Sequence, residues 1–267
     1  MRLPLRAKKL VLGFLLVSVL VSGPGLAKPA FCLVYLNYEE WGGTWHDVDK
    51  GQSNGNDEYM CWAAASANIL YWAGWCTPAY NSTTLIYQNF RAHWNNRGSL
   101  ARYGWNWWLN ADSPPAGGDS RWSEVSVPGG GGYWPQYEFK RYFHKYSRND
   151  DPRLVMSAID YYLRNGYGVI IGIYEGKTGH TLTVWGYGFD YDNEKNKTYK
   201  KLFITDSDDR ISKLWDYPVC WDADVNQWEF SGGRYSGWRI ECTEALERRP
   251  GTLQDKEPVS ASIAQSS

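Results

Sequence analysis

The chain has 267 residues, with 28 Lys and Arg against 29 Asp and Glu, a formal charge of −1, 16% aromatic residues and five cysteines. No dense basic run interleaves with the aromatics, so the electrostatic footprint of a nucleic-acid partner is missing and that class is excluded. The length suits one sizeable domain, or two closely packed lobes, with room for a large core.

Arg2, Arg6, Lys8 and Lys9 precede an apolar stretch over 10–21, and small residues close it at Gly25-Leu26-Ala27. This pattern predicts a secretory signal peptide over residues 1–27. The apolar stretch is shorter than the roughly 20 residues that cross a bilayer, so no stable membrane insertion is expected after signal cleavage. The expected location is extracellular, secreted or at the cell surface, where disulfides are permitted. Residues 28–247 then form the domain, and the polar residues 248–267 read as a disordered C-terminal tail.

Residues 33–46 read as a strand and loop, and residues 50–58, centred on Asn54-Gly55-Asn56-Asp57, as a turn and helix start. A helix is predicted to begin near Cys61 and to stop at Gly74. Cys61, Ala64, Ala65, Asn68, Ile69 and Trp72 share one stripe of it. A second helix is predicted over 84–94. Between Trp105 and Trp134 the chain is rich in Trp, Gly, Pro and Ser, and Gly129-Gly130-Gly131-Gly132 reads as a mobile loop, either a wall of a cleft or a surface connection. Helical spacing returns over 152–165 and stops at Asn165-Gly166. Residues 169–173 are a buried strand. Two further strands, 180–190 and 199–206, flank a polar turn as an antiparallel hairpin, which puts position 180 opposite position 209 within about two residues of register. One or two more hairpins run to about Cys242. The 16 Trp and 20 Tyr point to an aromatic-packed core, with a sugar or peptide groove as the functional alternative.

Cys61 opens its helix, where backbone N–H groups lack intrahelical acceptors and the helix dipole favours a negative charge. A thiolate is therefore stabilised there, and an imidazole beside it would lower the thiol pKa further. His180 heads a strand whose hairpin partner ends in Thr205-Asp206-Ser207-Asp208, so the pairing brings two carboxylates beside the imidazole. Asp206 and Asp208 are separated by two and point to one face, and either could orient His180. The order Cys, His, Asp supports acyl transfer by a cysteine nucleophile. His46, His93 and His144 lack such context and read as structural or surface residues. If Cys61 is unpaired, Cys32, Cys76, Cys220 and Cys242 form an even set with three connectivities, and proximity in sequence favours Cys32 with Cys76 and Cys220 with Cys242. No Cys-x-x-Cys or His-x-x-x-His pair is present, so no closed zinc site is expected. Residues 190–194 lack the spacing of a calcium loop. No metal and no cofactor are expected.

Trp45-His46-Asp47-Val48-Asp49-Lys50, the run from Met60-Cys61-Trp62 to Tyr71-Trp72, Gly179-His180 with Leu182 and Trp185-Gly186, and Ile204-Thr205-Asp206-Ser207-Asp208 together resemble, in order, the streptococcal immunoglobulin-G-degrading cysteine endopeptidases. These are the Mac or IdeS-type family of papain-like fold. The resemblance covers about residues 45–210. It implies an α+β, papain-like cysteine peptidase fold, with a helical lobe packed on an antiparallel β-sheet lobe. It implies Cys61 as nucleophile, His180 as base, Asp206 as the residue orienting it, Asp208 as a supporting carboxylate and Lys50 as a cation for the oxyanion. The implied partner is a protein substrate, with immunoglobulin G as the candidate. The chain departs from the family by one extra residue between Lys50 and Cys61, by the Gly- and Trp-rich middle, and by the four further cysteines. Two other readings stay open: a Cys-His-Asp amidase or transglutaminase-like acyl transferase, and a non-catalytic secreted binding module.

Overall fold

The computed structural model describes residues 31–35, 45–51, 57–94, 96–111, 128–191 and 196–252. The predicted signal peptide and the part of the predicted tail beyond residue 252 lie outside the described residues. The chain enters on β1 (Cys32–Tyr35) and continues through α1 (Cys61–Trp72), α2 (Thr83–Trp94) and α3 (Ala101–Asn110). It then forms β2 (Phe143–Ser147), α4 (Val155–Arg164), β3 (Gly168–Glu175), β4 (Thr178–Tyr191), β5 (Lys197–Thr205), β6 (Trp215–Asp222), β7 (Gln227–Phe230) and β8 (Arg239–Leu246).

All strand pairings are antiparallel. Around β4, β3, β8, β7, β6 and β5 the sheet closes on itself, because β5 pairs back onto β4; β1 extends the β4 side and β2 pairs with β8. The fold is therefore α+β, a helical region packed on a six-stranded antiparallel barrel. Among the described residues no helix is long and apolar enough to cross a membrane.

α1 is the hub. Its residues from Trp62 to Leu70 are all buried, wider than the predicted stripe, because α2, α3, β3 and β4 enclose the helix. A helix apolar all round is buried on every side. The aromatic residues lie in the core beside it: Trp62 packs edge-on against Phe90 and Trp94 with ring centroids 5.4 and 5.1 Å away, and Trp105, Trp107 and Trp108 are fully buried. Several indole N–H groups donate to backbone carbonyls, such as Trp62 to Arg97 and Trp108 to Trp75 at 2.9 and 2.8 Å, which offsets the cost of burying them; Trp72 and Trp94 bury their Nε1 without a partner among the described residues.

α3 is a helix outside the elements expected from the sequence; it overlaps the start of the stretch read only as rich in Trp, Gly, Pro and Ser. Its segment, Ala-Arg-Tyr-Gly-Trp-Asn-Trp-Trp-Leu-Asn, is mostly buried; Arg102, Asn106 and Asn110 recur every fourth residue, a helical signal masked by the Trp- and Gly-rich composition around it. Gly104 sits within it because Trp62 crosses there: a Cβ would stand 2.6 Å from the indole Cζ3. Gly104→Ala gains about 1 kcal/mol of helix propensity and forces overpacking that costs about 1–3 kcal/mol. The expected result is a lower urea midpoint with an unchanged slope.

Three further expectations change. The glycine run is not a mobile loop: Gly130, Gly131 and Gly132 take positive φ, Gly132 N–H donates to the Trp107 carbonyl at 2.9 Å, and a Cβ on Gly131 would stand 2.4 Å from that oxygen. Glycine is used there for close approach to α3. Residues 248–252, assigned to the tail, are seated on the end of α1, with Arg249 donating from its N–H to Ala73 and from Nε to Gly74. The expected disulfides do not form, and none of the five cysteines is in one. Cys220 lies on β6 and Cys242 on β8 with β7 between them, a separation of two strand spacings, about 9–10 Å, beyond the roughly 7 Å Cα reach of a disulfide.

Candidate active site

Residues 45–50 run between the helical region and the barrel, and four hydrogen bonds hold them there. Thr205 Oγ1 donates to the His46 carbonyl at 2.9 Å, Val48 N–H donates to Asn68 Oδ1 at 3.1 Å, Lys213 N–H donates to Asp47 Oδ2 at 3.1 Å, and Lys50 N–H donates to the Ser207 carbonyl at 2.9 Å. The buried Asp57 fixes the next turn. Its carboxylate accepts from Gly51 N–H at 2.5 Å and from Tyr87 O–H at 3.0 Å, and Arg91 lies 3.4 Å away. Lys50 and the start of α1 are thereby held in one frame.

β4 carries His180 to the same place. The pairing of Thr183 with Thr205 ends the hairpin ladder, and the chain beyond Thr205 turns Asp206 and Asp208 toward the imidazole. His180 Nε2 lies 2.8 Å from Asp206 Oδ1. Since a carboxylate only accepts, that nitrogen carries the proton, and Nδ1 is the ring atom left to face Cys61, whose thiol feels the His180 charge.

Burial by itself would push the Cys61 thiol up, but the charge and hydrogen bond of His180, the Lys50 ammonium and the Thr181 N–H outweigh it and hold the thiol below its usual range. Burial would likewise depress His180, yet Cys61 and Asp206 raise it. Asp206 is fully buried, which disfavours its charge, and its bonds from His180 and Tyr235 hold the carboxyl below the usual carboxylate range. The three directions all favour the charged forms, a thiolate beside an imidazolium beside a carboxylate.

The Lys50 ammonium lies 2.7 Å from Asp208 Oδ1 and donates to the Glu58 carbonyl at 2.6 Å. An ammonium has three N–H donors, so one remains for a ligand at Cys61. All five residues singled out in the sequence, Cys61, His180, Asp206, Asp208 and Lys50, thus meet in one site. Of the two aspartates, Asp206 touches the imidazole and Asp208 holds the lysine. His46 packs edge-on against Tyr71 and Trp185 at 4.8 and 6.0 Å, and its burial lowers the imidazole pKa to about 4, so it stays neutral in the core. His144 stacks on Tyr167 and meets Glu247 at 2.7 Å, away from Cys61.

Among the described residues two sets of side chains offer donor atoms within 4.8 Å of one another, the spacing a shared metal ion needs: His180 with Asp206 and Asp208, and Asp47 with Asp49 and Asp209. In the first set the donors are already engaged by one another and by Lys50. In the second, burial pushes the Asp47 carboxyl up to about 8, against the Lys213 N–H and with Asp49 and Asp209 adding to it. At neutral pH that carboxyl is mostly protonated. Residues 192–195 of the segment compared with a calcium loop lie outside the described residues.

Sequence reasoning missed two side chains of this site. Tyr235 O–H donates to Asp206 Oδ2 at 2.6 Å, and Arg234 Nη1 lies 3.3 Å from the same oxygen. Both sit in the glycine-rich turn between β7 and β8, and nothing in linear spacing ties that turn to Asp206. Asn68 was placed on the inner stripe of α1, but its role as a bridge between Val48 and Thr183 depends on the assembled fold. Comparison of the chain with protein-family models and with curated proteins gives no match.

Proposed function

We propose that this protein is a secreted, papain-like cysteine endopeptidase of the Mac or IdeS type. The observation that carries the reading is the set Cys61–His180–Asp206: a thiol at the first residue of a buried helix, its ionisation favoured by the charge of an imidazole whose Nε2 lies 2.8 Å from a buried carboxylate. The sulfur attacks a peptide carbonyl carbon and the carbonyl electron pair moves to oxygen. The oxyanion is met by the remaining Lys50 donor and by backbone N–H groups at the start of α1. Collapse expels the amine, which takes the proton from His180 Nδ1, and leaves a thioester on Cys61. His180 then removes a proton from water as the hydroxyl oxygen attacks the thioester, and collapse returns the Cys61 thiolate and the imidazolium. Asp206 stays ionised and keeps the ring oriented throughout.

The substrate is a protein, with immunoglobulin G as the first candidate. The test is intact-mass analysis of immunoglobulin G and of a mixed pool of secreted proteins after exposure to wild type and to Cys61→Ala. Fragments are expected with wild type alone. Identical spectra for the two proteins across both samples would defeat the endopeptidase reading, whereas cleavage in the pool but not of immunoglobulin G would keep the chemistry and replace the substrate.

A further inference from the structure

Asp206 has room for four hydrogen bonds, two on each oxygen, and all four are made. Oδ1 accepts from His180 Nε2 at 2.8 Å and from Asp208 N–H at 3.1 Å; Oδ2 accepts from Tyr235 O–H at 2.6 Å and faces Arg234 Nη1 at 3.3 Å. The first pair belongs to the site described above. The second pair comes from a turn some thirty residues further along the chain, on the far side of the carboxylate from Cys61. The Tyr235 ring also lies over His180, with centroids 5.4 Å apart and planes 28° from parallel.

That turn is built rigidly. Phe230 N–H donates to the Trp238 carbonyl and Gly237 N–H to the Phe230 carbonyl, at 2.9 and 2.8 Å, while Trp238 N–H donates to the Tyr235 carbonyl at 2.9 Å. Gly233 takes φ +75°, and a Cβ there would stand 2.4 Å from the Tyr217 ring. Tyr235 is 5% exposed, wedged among Tyr217, Phe230 and Trp238. A buried phenol needs a partner, and this one is aimed at the carboxylate oxygen that His180 does not use.

We infer that Tyr235, assisted by Arg234, is a positioning residue of the Cys61 site: it pins Asp206 Oδ2 so that Oδ1 points at His180 Nε2, and its ring keeps water off that bond. The inference rests on the peptidase reading of Cys61 and His180. A carboxylate anchored on one oxygen alone turns about its last bond and competes for other donors. Anchored on both, it holds the imidazolium, which in turn holds the thiolate. The other charged or titratable groups around Asp206 are Asp208 in its own loop, Tyr217 on β6, and Asp47 and Asp49 on the segment before α1. None of these four has a side-chain hydrogen bond to it, so they set a background that substitutions at 234 and 235 leave in place.

The experiment is the pH dependence of Cys61 alkylation by iodoacetamide, mapped by mass spectrometry, in wild type, Tyr235→Phe and Arg234→Gln, each checked for folding by urea denaturation. Tyr235→Phe keeps the ring and removes only the donor. Its acid limb is expected to move up by about 0.5–1 pH unit, the size expected for one hydrogen bond to a charged group acting at one remove. Arg234→Gln, with a side chain 48% exposed, should move it the same way by less. An unmoved or lowered limb in Tyr235→Phe, with wild-type activation intact, overturns the positioning role, since fewer competing donors would then have left Asp206 bound to His180 as well or better. Should Tyr235→Phe fail to fold, the half-exposed Arg234→Gln decides by the same criterion. A wild-type profile identical to that of an unfolded thiol defeats the activated-thiolate reading itself, a different result from an unshifted variant.

Discussion

Replacing His180 by Ala should slow alkylation of Cys61 at pH 6.5 by about 10–100-fold, because a thiol returned to a pKa near 8.5 is only about 1% ionised there. Part of the loss is offset by the higher nucleophilicity of a more basic thiolate. Peptide hydrolysis should fall further, by about a thousandfold or more, since the leaving amine also loses its proton donor. For wild type the rate should describe a bell in pH. Its acid limb follows protonation of the Cys61 thiolate, held below the usual thiol range, and its alkaline limb follows loss of the His180 proton, at about 10. The raised imidazole also stabilises the fold. Its contribution is fully present below the unfolded histidine pKa of about 6.5 and is lost as pH rises through the folded value. The stability deficit of His180→Ala should therefore be largest in mild acid and shrink to its pH-independent packing part above about pH 10 in urea titrations. A deficit that grew with pH would contradict the ion pair.

Asp206→Asn should cost about 3 kcal/mol of folding stability at pH 7, the scale of stranding donors in a buried charged network. The reason is geometric. Each Asp206 oxygen faces two donors, His180 Nε2–H and Asp208 N–H on one side, Tyr235 O–H and the Arg234 guanidinium on the other. An amide satisfies one side and, whichever way it flips, sets its NH2 against donors on the other. The carboxyl is held below its usual range when folded, so its stabilisation is present above about pH 3.9 and is lost as pH falls through the folded value. The gap in urea midpoint between wild type and Asp206→Asn should hold from pH 7 to about 4 and narrow as pH falls below about 3.9. A gap that stayed constant below that pH would show that charge has no part in the effect.

The local parts of the fold were legible in the residues. The α1 start at Cys61, the α2 span and the β4–β5 hairpin follow from turn residues and short-range periodicity, and the expected facing of 180 and 209 lies within a residue of the register that the Thr183–Thr205 pair implies. α3 was missed because a Trp- and Gly-rich composition masked it, although Arg102, Asn106 and Asn110 recur at helical spacing. The cysteine pairing misled for another reason: nearness in sequence between Cys220 and Cys242 spans three strands of the sheet. In the glycine run, composition suggested freedom where the close approach to Trp107 demands the absence of a Cβ.

What the sequence by itself determined was the set of side chains that meet at the candidate site and their local setting. Cys61 stands at a helix start, His180 on a strand and Asp206 at the end of its partner strand, because capping and hairpin pairing act over a few residues. What only the tertiary structure decided was the closure of six strands into a barrel, the division of labour between Asp206 at the imidazole and Asp208 at Lys50, and the arrival of Tyr235 and Arg234 behind the carboxylate. Those depend on contacts between residues far apart in the chain, formed only when a buried charge must have every lone pair met.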